Sequence, residues 1–248
     1  MEHILKLGYS LIEAIGPHTS FLLVIRDIND EYMVEHVPGG MILSTESESF
    51  WGDKLLNFKQ LHNLLQDVYF ICINGMNRNE NTDIILYQGI PGRQNKRKND
   101  RESEDNSKRQ AIDDLNLDRM NLFGQANTNP KDIIKIVTQL IDSVPGLILD
   151  IYTDPEDGSI YFIEKKNDQI YISDEGGELE DKPIHSMEEM YNLIKGPVVI
   201  LTIVQKLSSK IVRSLTLYNV LTGTSFGKSG GLKKKVRTIS NEIKYLSR

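Results

Sequence analysis

The alternation of apolar and polar positions along the chain predicts short helices and strands. Apolar residues recur every three or four positions in 3–15, 55–67, 131–143 and 186–195, the spacing that gives a helix one buried face. The segments between them are rich in β-branched and aromatic residues and are bounded by turn residues, which is typical of strands. The predicted strands are 20–28, 32–37, 41–44, 68–75 and 82–90, followed by 147–153, 159–165, 169–173, 198–206 and 210–221.

The pattern repeats at an offset of 129 residues. The segment "ILKLGYSLIEAI" (4–15) aligns with "IIKIVTQLIDSV" (133–144), and the same offset lays "YFICI" (69–73) on "VVILT" (198–202). A slip of two residues then places Leu86 on Leu217. Several elements in register indicate an internal duplication. We therefore predict an α+β fold made of two tandem α-βββ-α-ββ repeats with mainly antiparallel sheets.

Charge and composition divide the chain further. The predicted division is a first repeat (1–92), a polar basic linker (93–129), a second repeat (130–223) and a basic C-terminal tail (224–248). Residues 91–110 hold seven Lys/Arg against four Asp/Glu, and residues 221–248 hold seven against one, although the whole chain has a net charge of -6. An acidic body with two basic segments predicts an anionic partner that is met locally.

The stretch "TGTSFGKSGG" (222–231) resembles both a nucleophile elbow and a phosphate-binding loop. A phosphate loop needs four residues between its first and last glycines, whereas three separate Gly223 from Gly227, and Gly230 with Gly231 disfavours the helix that should follow. An elbow needs an acid and then a histidine after Ser225, and no histidine follows it. The sequence therefore predicts a glycine-rich turn that ends the second repeat.

Two further features concern location. Lys96 and Arg97, followed after ten residues by Lys108 and Arg109, fit a bipartite nuclear-import signal, and Lys98 adds to its first cluster. A nucleic-acid contact and a plain solvated linker remain the alternatives. The single cysteine, Cys72, excludes an internal disulfide and is expected to be a small buried hydrophobe. No signal peptide or membrane span is predicted, so we expect a non-secreted, nuclear or intracellular protein without a membrane partner.

One pattern predicts catalysis as an alternative. Restriction-type nucleases use two metal-binding acids and a lysine, and this chain has a similar set in Asp150 or Asp154, Glu164 and Lys166. In a hairpin, Asp150, Glu164 and Lys166 would share one face. A charged strand end is the commoner origin of such a pattern. The five histidines show no metal-ligand spacing, so the main prediction has no metal, no cofactor and no enzymatic activity.

The tandem arrangement resembles the DNA sliding-clamp family, the processivity factors of DNA polymerases. The resemblance rests on "NFKQLHNLLQDVYFICINGMNRNENTDIILYQGIP" (57–91), a helix followed by two strands, and on "PKDIIKIVTQLIDSVPGLILDIYTDPEDGSIYFI" (130–163), a helix followed by a hairpin. It implies two like domains joined by a connector, helices that line a DNA-sized hole, and assembly into an oligomer. The chain departs from the family in having no strand before its first helix and a long basic connector.

The resemblance implies a non-catalytic DNA replication or repair factor that holds the DNA backbone through lysines. Sequence-independent attraction to phosphates is what sliding requires. The candidate nucleic-acid contacts on the predicted helices and in the tail are Lys6, Lys59, Lys131, Lys135, Lys195, Lys228, Lys233, Lys234, Lys235 and Arg237. The alternative is a nuclear adaptor or complex subunit that binds proteins through the same tandem repeats, and for each lysine an ordinary solvated surface is the alternative.

Overall fold

The fold consists of two halves with the same order of elements. The computed structural model describes residues 1–17, 21–45, 51–55, 57–77, 80–91, 128–153, 158–208 and 212–220. The first half contains α1 (Glu2–Ile15), β1 (Phe21–Arg26), β2 (Glu31–Val37), β3 (Gly40–Thr45), β4 (Trp51–Leu55), α2 (Phe58–Leu64), β5 (Phe70–Asn77) and β6 (Glu80–Gln88). The second half contains α3 (Pro130–Ser143), β7 (Leu147–Thr153), β8 (Ile160–Lys166), β9 (Gln169–Asp174), β10 (Lys182–Pro183), α4 (Met187–Leu193), β11 (Val198–Lys206) and β12 (Val212–Asn219).

Each half forms one six-stranded sheet, and the two sheets have the same topology. The strand order is β4-β3-β2-β1-β5-β6 in the first sheet and β10-β9-β8-β7-β11-β12 in the second. Every pairing within these sheets is antiparallel. The predicted α+β class with antiparallel sheets is therefore confirmed.

The element order differs from the predicted α-βββ-α-ββ pattern by one additional strand in each half. In the first half, β4 ends at Leu55, and α2 begins only at Phe58, so the helix predicted over 55–67 is shorter at both ends. In the second half, β10 has two residues, too few to show a period in the sequence. Both additional strands lie at the outer edge of their sheet, where a short strand is common.

The offset between the halves is not constant along the chain. It is 129 in the second helices, where Leu61 and Met190 are both fully buried. It is 130 in the strands that follow, because Ile73 and Ile203 both face the core. The constant offset of 129 residues, which paired Ile73 with Thr202, is therefore wrong by one residue in this strand. A shift of one residue along a strand places a side chain on the opposite face of the sheet.

A hydrogen-bonded cap begins α3, a glycine ends α1, and each of these two long helices has one buried face. In α3, the Asn129 side chain accepts a hydrogen bond from the Lys131 N–H at 3.1 Å, and Pro130 occupies the first turn, where its missing N–H has no cost. In α1, the chain leaves the helix at Gly16, whose φ of 86° favours glycine. Both helices pack against each other and against their own sheets around one apolar core. Among the described residues, no helix is long and apolar enough to cross a membrane.

The sheets meet where the edge strand β6 of the first half faces β11 and β12 of the second. The Gln205 side chain, which is 2% exposed, accepts a hydrogen bond from the Ile85 N–H at 2.9 Å and donates one to the Ile85 carbonyl at 2.6 Å. Arg213 donates to the carbonyl oxygen of Asp83 at 3.1 Å. Because an edge strand has free backbone groups, these side chains replace the neighbouring strand that β6 lacks on this side.

A glycine allows the close approach of the two halves. A Cβ atom at Gly75 of β5 would overlap Cδ1 of Leu215 of β12. Leu215 is 8% exposed and belongs to the common core, so it has little room to move away. Gly75 is therefore required by packing between the halves, and a larger residue there would force the sheets apart.

Replacing Gln205 by leucine is expected to lower the free energy of unfolding by about 2–3 kcal/mol, because the volume is kept while two buried backbone groups of Ile85 lose their partners. Urea unfolding followed by circular dichroism measures the change. Gln139→Leu on the exposed surface of α3 is the control and should stay within about 0.5 kcal/mol of the wild type. Equal stabilities of the Gln205→Leu and Gln139→Leu variants would contradict the assigned role of the Gln205 amide.

Candidate nucleic-acid-binding surface

The four helices are joined by direct side-chain contacts and form a helix layer. The rings of Tyr9 in α1 and Phe58 in α2 lie 5.7 Å apart in an edge-to-face arrangement. On the other side, Thr138 of α3 lies 3.9 Å from the sulfur of Met190 in α4. Since α1 also packs against α3, the helix layer runs in the order α2, α1, α3, α4.

Lys6 and Lys135 occupy matching positions on the two central helices. Both side chains are exposed, while their neighbours Leu5 and Ile134 are buried at 1% exposure each. This fits the helical period, because the helix neighbours on the same side, Glu2 and Glu13 for Lys6 and Gln139 for Lys135, are exposed as well. The structure therefore leaves both lysines exposed to solvent, and their contact with nucleic acid stays a prediction.

The other three helix candidates have different surroundings. Lys59 is exposed on α2, whose start is fixed by reciprocal hydrogen bonds between Asn57 and Gln60. Lys131 lies with its Nζ 5.4 Å from the ring centre of Tyr191, and the Tyr191 hydroxyl donates to the Lys131 carbonyl oxygen at 2.7 Å. These contacts hold the start of α3 against α4 and leave the Lys131 ammonium at the surface.

Lys195 does not lie on a helix, contrary to the prediction. The helix α4 ends at Leu193, and Ile194 is its cap. The Lys195 ammonium lies 3.4 Å from a carboxylate oxygen of Glu178, in an exposed ion pair. Of the five lysines predicted on helices, Lys195 is the weakest candidate for a phosphate contact, because a neighbouring carboxylate already offsets its charge.

The helix layer does not carry an excess of positive charge. The four helices hold four lysines against six carboxylates, which are Glu2, Glu13, Asp132, Asp142, Glu188 and Glu189. A DNA-facing surface made of these helices alone would repel as well as attract phosphates. The positive charge of the chain is concentrated in its two basic segments, 91–110 and 221–248.

Most of the basic candidates lie outside the described residues. These are the tail positions Lys228, Lys233, Lys234, Lys235 and Arg237, and the import-signal positions Lys96, Arg97, Lys98, Lys108 and Arg109. The stretch "TGTSFGKSGG" (222–231) also lies outside them. Their assignments remain predictions from the sequence.

The structure brings together the three residues of the nuclease-like alternative on one sheet face. Asp150 pairs with Phe162 across β7 and β8, and Glu164 and Lys166 follow at alternate positions on β8. Lys166 is held by Glu164 at 2.8 Å and by Asp181 at 2.7 Å, so its ammonium is engaged in a surface ion-pair network. Among the described residues, no group of three or more His, Cys, Asp and Glu side chains is arranged to hold a metal ion.

Asp150 has an unusual environment for a carboxylic acid. It is 8% exposed, and burial raises its pKa to about 7, an effect that Lys206 partly opposes. The feature of the sequence that could have predicted this burial is an aspartate within the apolar strand "LILDIYT" (147–153). In the nuclease-like alternative Asp150 is a metal ligand, whereas the structure buries it without a charged partner in contact.

Comparison of the chain with models of known protein families finds no match, and comparison with curated protein sequences finds none either. The candidate function therefore depends on the fold, the exposed lysines and the charge distribution described above.

Cys72 is expected to be unreactive in the folded protein. It is 3% exposed, and burial, with a smaller contribution from Asp83, raises the pKa of its thiol to about 12. Because the thiolate is the reactive form, labelling by a disulfide reagent at pH 8 should be at least about 100-fold slower than for free cysteine. Labelling in urea provides the control, and a native rate close to the unfolded rate would show that the thiol is accessible.

Proposed function

We propose that the protein is a non-catalytic, DNA-associated factor of replication or repair, similar in role to a sliding clamp. The observation that carries this proposal is the duplicated fold, in which α1 and α3 pack together and expose Lys6 and Lys135 at matching positions. Two equivalent helices with equivalent lysines suit the DNA backbone, because its phosphates occur at regular intervals and are the same for every base sequence.

The charge distribution divides this binding between two parts of the chain. The helix layer has more carboxylates than lysines, so it favours loose contact over tight attachment. The tail and linker supply the main attraction, since Lys/Arg exceed Asp/Glu by six in residues 221–248 and by three in residues 91–110. A factor that must move along DNA needs this combination of overall attraction and weak local contacts.

The acidic excess of the helix layer favours the second candidate, a nuclear adaptor or complex subunit that binds proteins. A net negative surface disfavours DNA and suits a basic protein partner. In that case the bipartite basic segment acts as an import signal and the tandem fold as a binding scaffold. The nuclease alternative receives less support, because Lys166 is engaged by Glu164 and Asp181.

Binding to a labelled 30-base-pair duplex, measured by fluorescence anisotropy between 50 and 300 mM NaCl, separates these candidates. We expect affinity that is independent of DNA sequence and falls steeply with salt. Replacing Lys228, Lys233, Lys234, Lys235 and Arg237 by glutamine should weaken binding at least about tenfold and flatten the salt dependence, because about five counterions are no longer released.

Lys6→Gln with Lys135→Gln tests the helix layer separately and should weaken binding by about threefold to tenfold. The matched control variant combines Lys182→Gln and Lys206→Gln, which removes two exposed lysines from outside the helices and should change affinity less than twofold. Absence of binding at 50 mM NaCl would exclude the DNA-associated function. Unchanged affinity of the Lys6/Lys135 variant would exclude a clamp-like use of the helix layer.

Assembly is part of the same proposal, because a clamp must encircle DNA. Light scattering of the 248-residue protein should show a mass above that of the 28.3 kDa chain, either alone or with DNA. A monomeric mass in both conditions would leave a DNA-associated factor that does not form a ring.

A further inference from the structure

Asp150 lies in the middle of the second sheet, on the face directed away from the helices. Its neighbours in sequence, Leu149 and Ile151, are fully buried in the common core, so the alternation of the strand turns Asp150 to the opposite face. The strand pairing places Phe162 of β8 on one side and Thr202 of β11 on the other. Asp150 is 8% exposed as a whole residue, so only a small part of it contacts water.

The groups around Asp150 offer its carboxyl group little compensation. Ile148 and Val204, at 9% and 7% exposure, flank it along β7 and β11. The hydroxyl group of Thr202 lies 3.2 Å from that of Thr216, so these two hydroxyls are partners of each other. Within the described part of the chain, no hydrogen bond or ion pair to the Asp150 carboxyl group is found.

The charged groups on the neighbouring strands are already engaged or distant. On β8, Glu164 is paired with Lys166, and on β11 the exposed Lys206 provides only a partial electrostatic attraction. On β9, Ser173 and Tyr171 occupy the corresponding face, and on β12, Thr216 and Ser214 do so. An ionised carboxylate at this position would therefore be desolvated without a counterion in contact.

We propose that Asp150 is a proton-operated switch in the second sheet: it packs as a neutral acid, and its ionisation weakens the strands that surround it. The unfolded chain releases this proton near pH 4, whereas the fold retains it up to about neutral pH. The contribution of this group to stability is therefore fully present below about pH 4, is lost as the pH rises to about 7, and does not fall further above that. A change of pH around neutrality alters the charge state of this one buried group.

Urea unfolding of the 248-residue wild type and of its Asp150→Asn variant, at pH 5 and pH 8, tests the proposal. The wild type should lose about 80-fold in its folding equilibrium constant relative to Asp150→Asn between these two values, since only the wild type ionises at this site. Asp168→Asn is the matched control, because the Asp168 side chain is 99% exposed, and it should retain the wild-type pH dependence.

Equal pH dependence of the wild type and Asp150→Asn, within about threefold, would overturn the proposal. If Asp150→Asn does not fold, the wild type still provides a test. Carbon-13 NMR titration of the Asp150 carboxyl group should then give a midpoint close to 7, and a midpoint below 5 would overturn the proposal equally.

Discussion

The contact between the Gln205 amide and the backbone of Ile85 links the two halves of the molecule. An edge strand such as β6 would otherwise leave buried N–H and C=O groups without partners at the junction. One side chain with a donor and an acceptor satisfies both groups of the same residue. The alignment of the two sheets, and through it the packing of α1 against α3, depends on this contact and on the space that Gly75 leaves for Leu215.

The two repeats therefore differ at the position where they contact each other. Gly75 and Gln205 occupy the same position in the two repeats, at the offset of 130 residues that relates β5 to β11. Gly75 makes room for the Leu215 side chain, whereas Gln205 supplies the side chain that binds the backbone of Ile85. Two identical copies would either clash or leave a gap, so the difference between the repeats is what joins them into one core.

The periodic elements were predictable from the sequence, and the contacts between them were not. The helical stripe of α1 and the alternation in β8 follow from local burial, so the exposure of Lys6 and the common face of Asp150 and Glu164 could be predicted. The strands β4 and β10 are too short or too close to a helix to show a period. The pairing of Lys195 with Glu178 and the isolation of Asp150 depend on which strands and loops become neighbours in space, and a single sequence does not encode that in its spacing.

The described halves share a single core beside an acidic helix layer, and the Lys and Arg residues of the chain are concentrated in segments 91–110 and 221–248. The central claim is that the two halves form one cooperative unit, and native-state hydrogen exchange tests it most directly. The amides of Ile25 and Ile73 in the first sheet, and of Leu149 and Ile203 in the second, lie in the core strands. They should exchange with one common opening free energy and one common urea dependence. Two separate free energies, with one sheet opening while the other remains protected, would contradict the account.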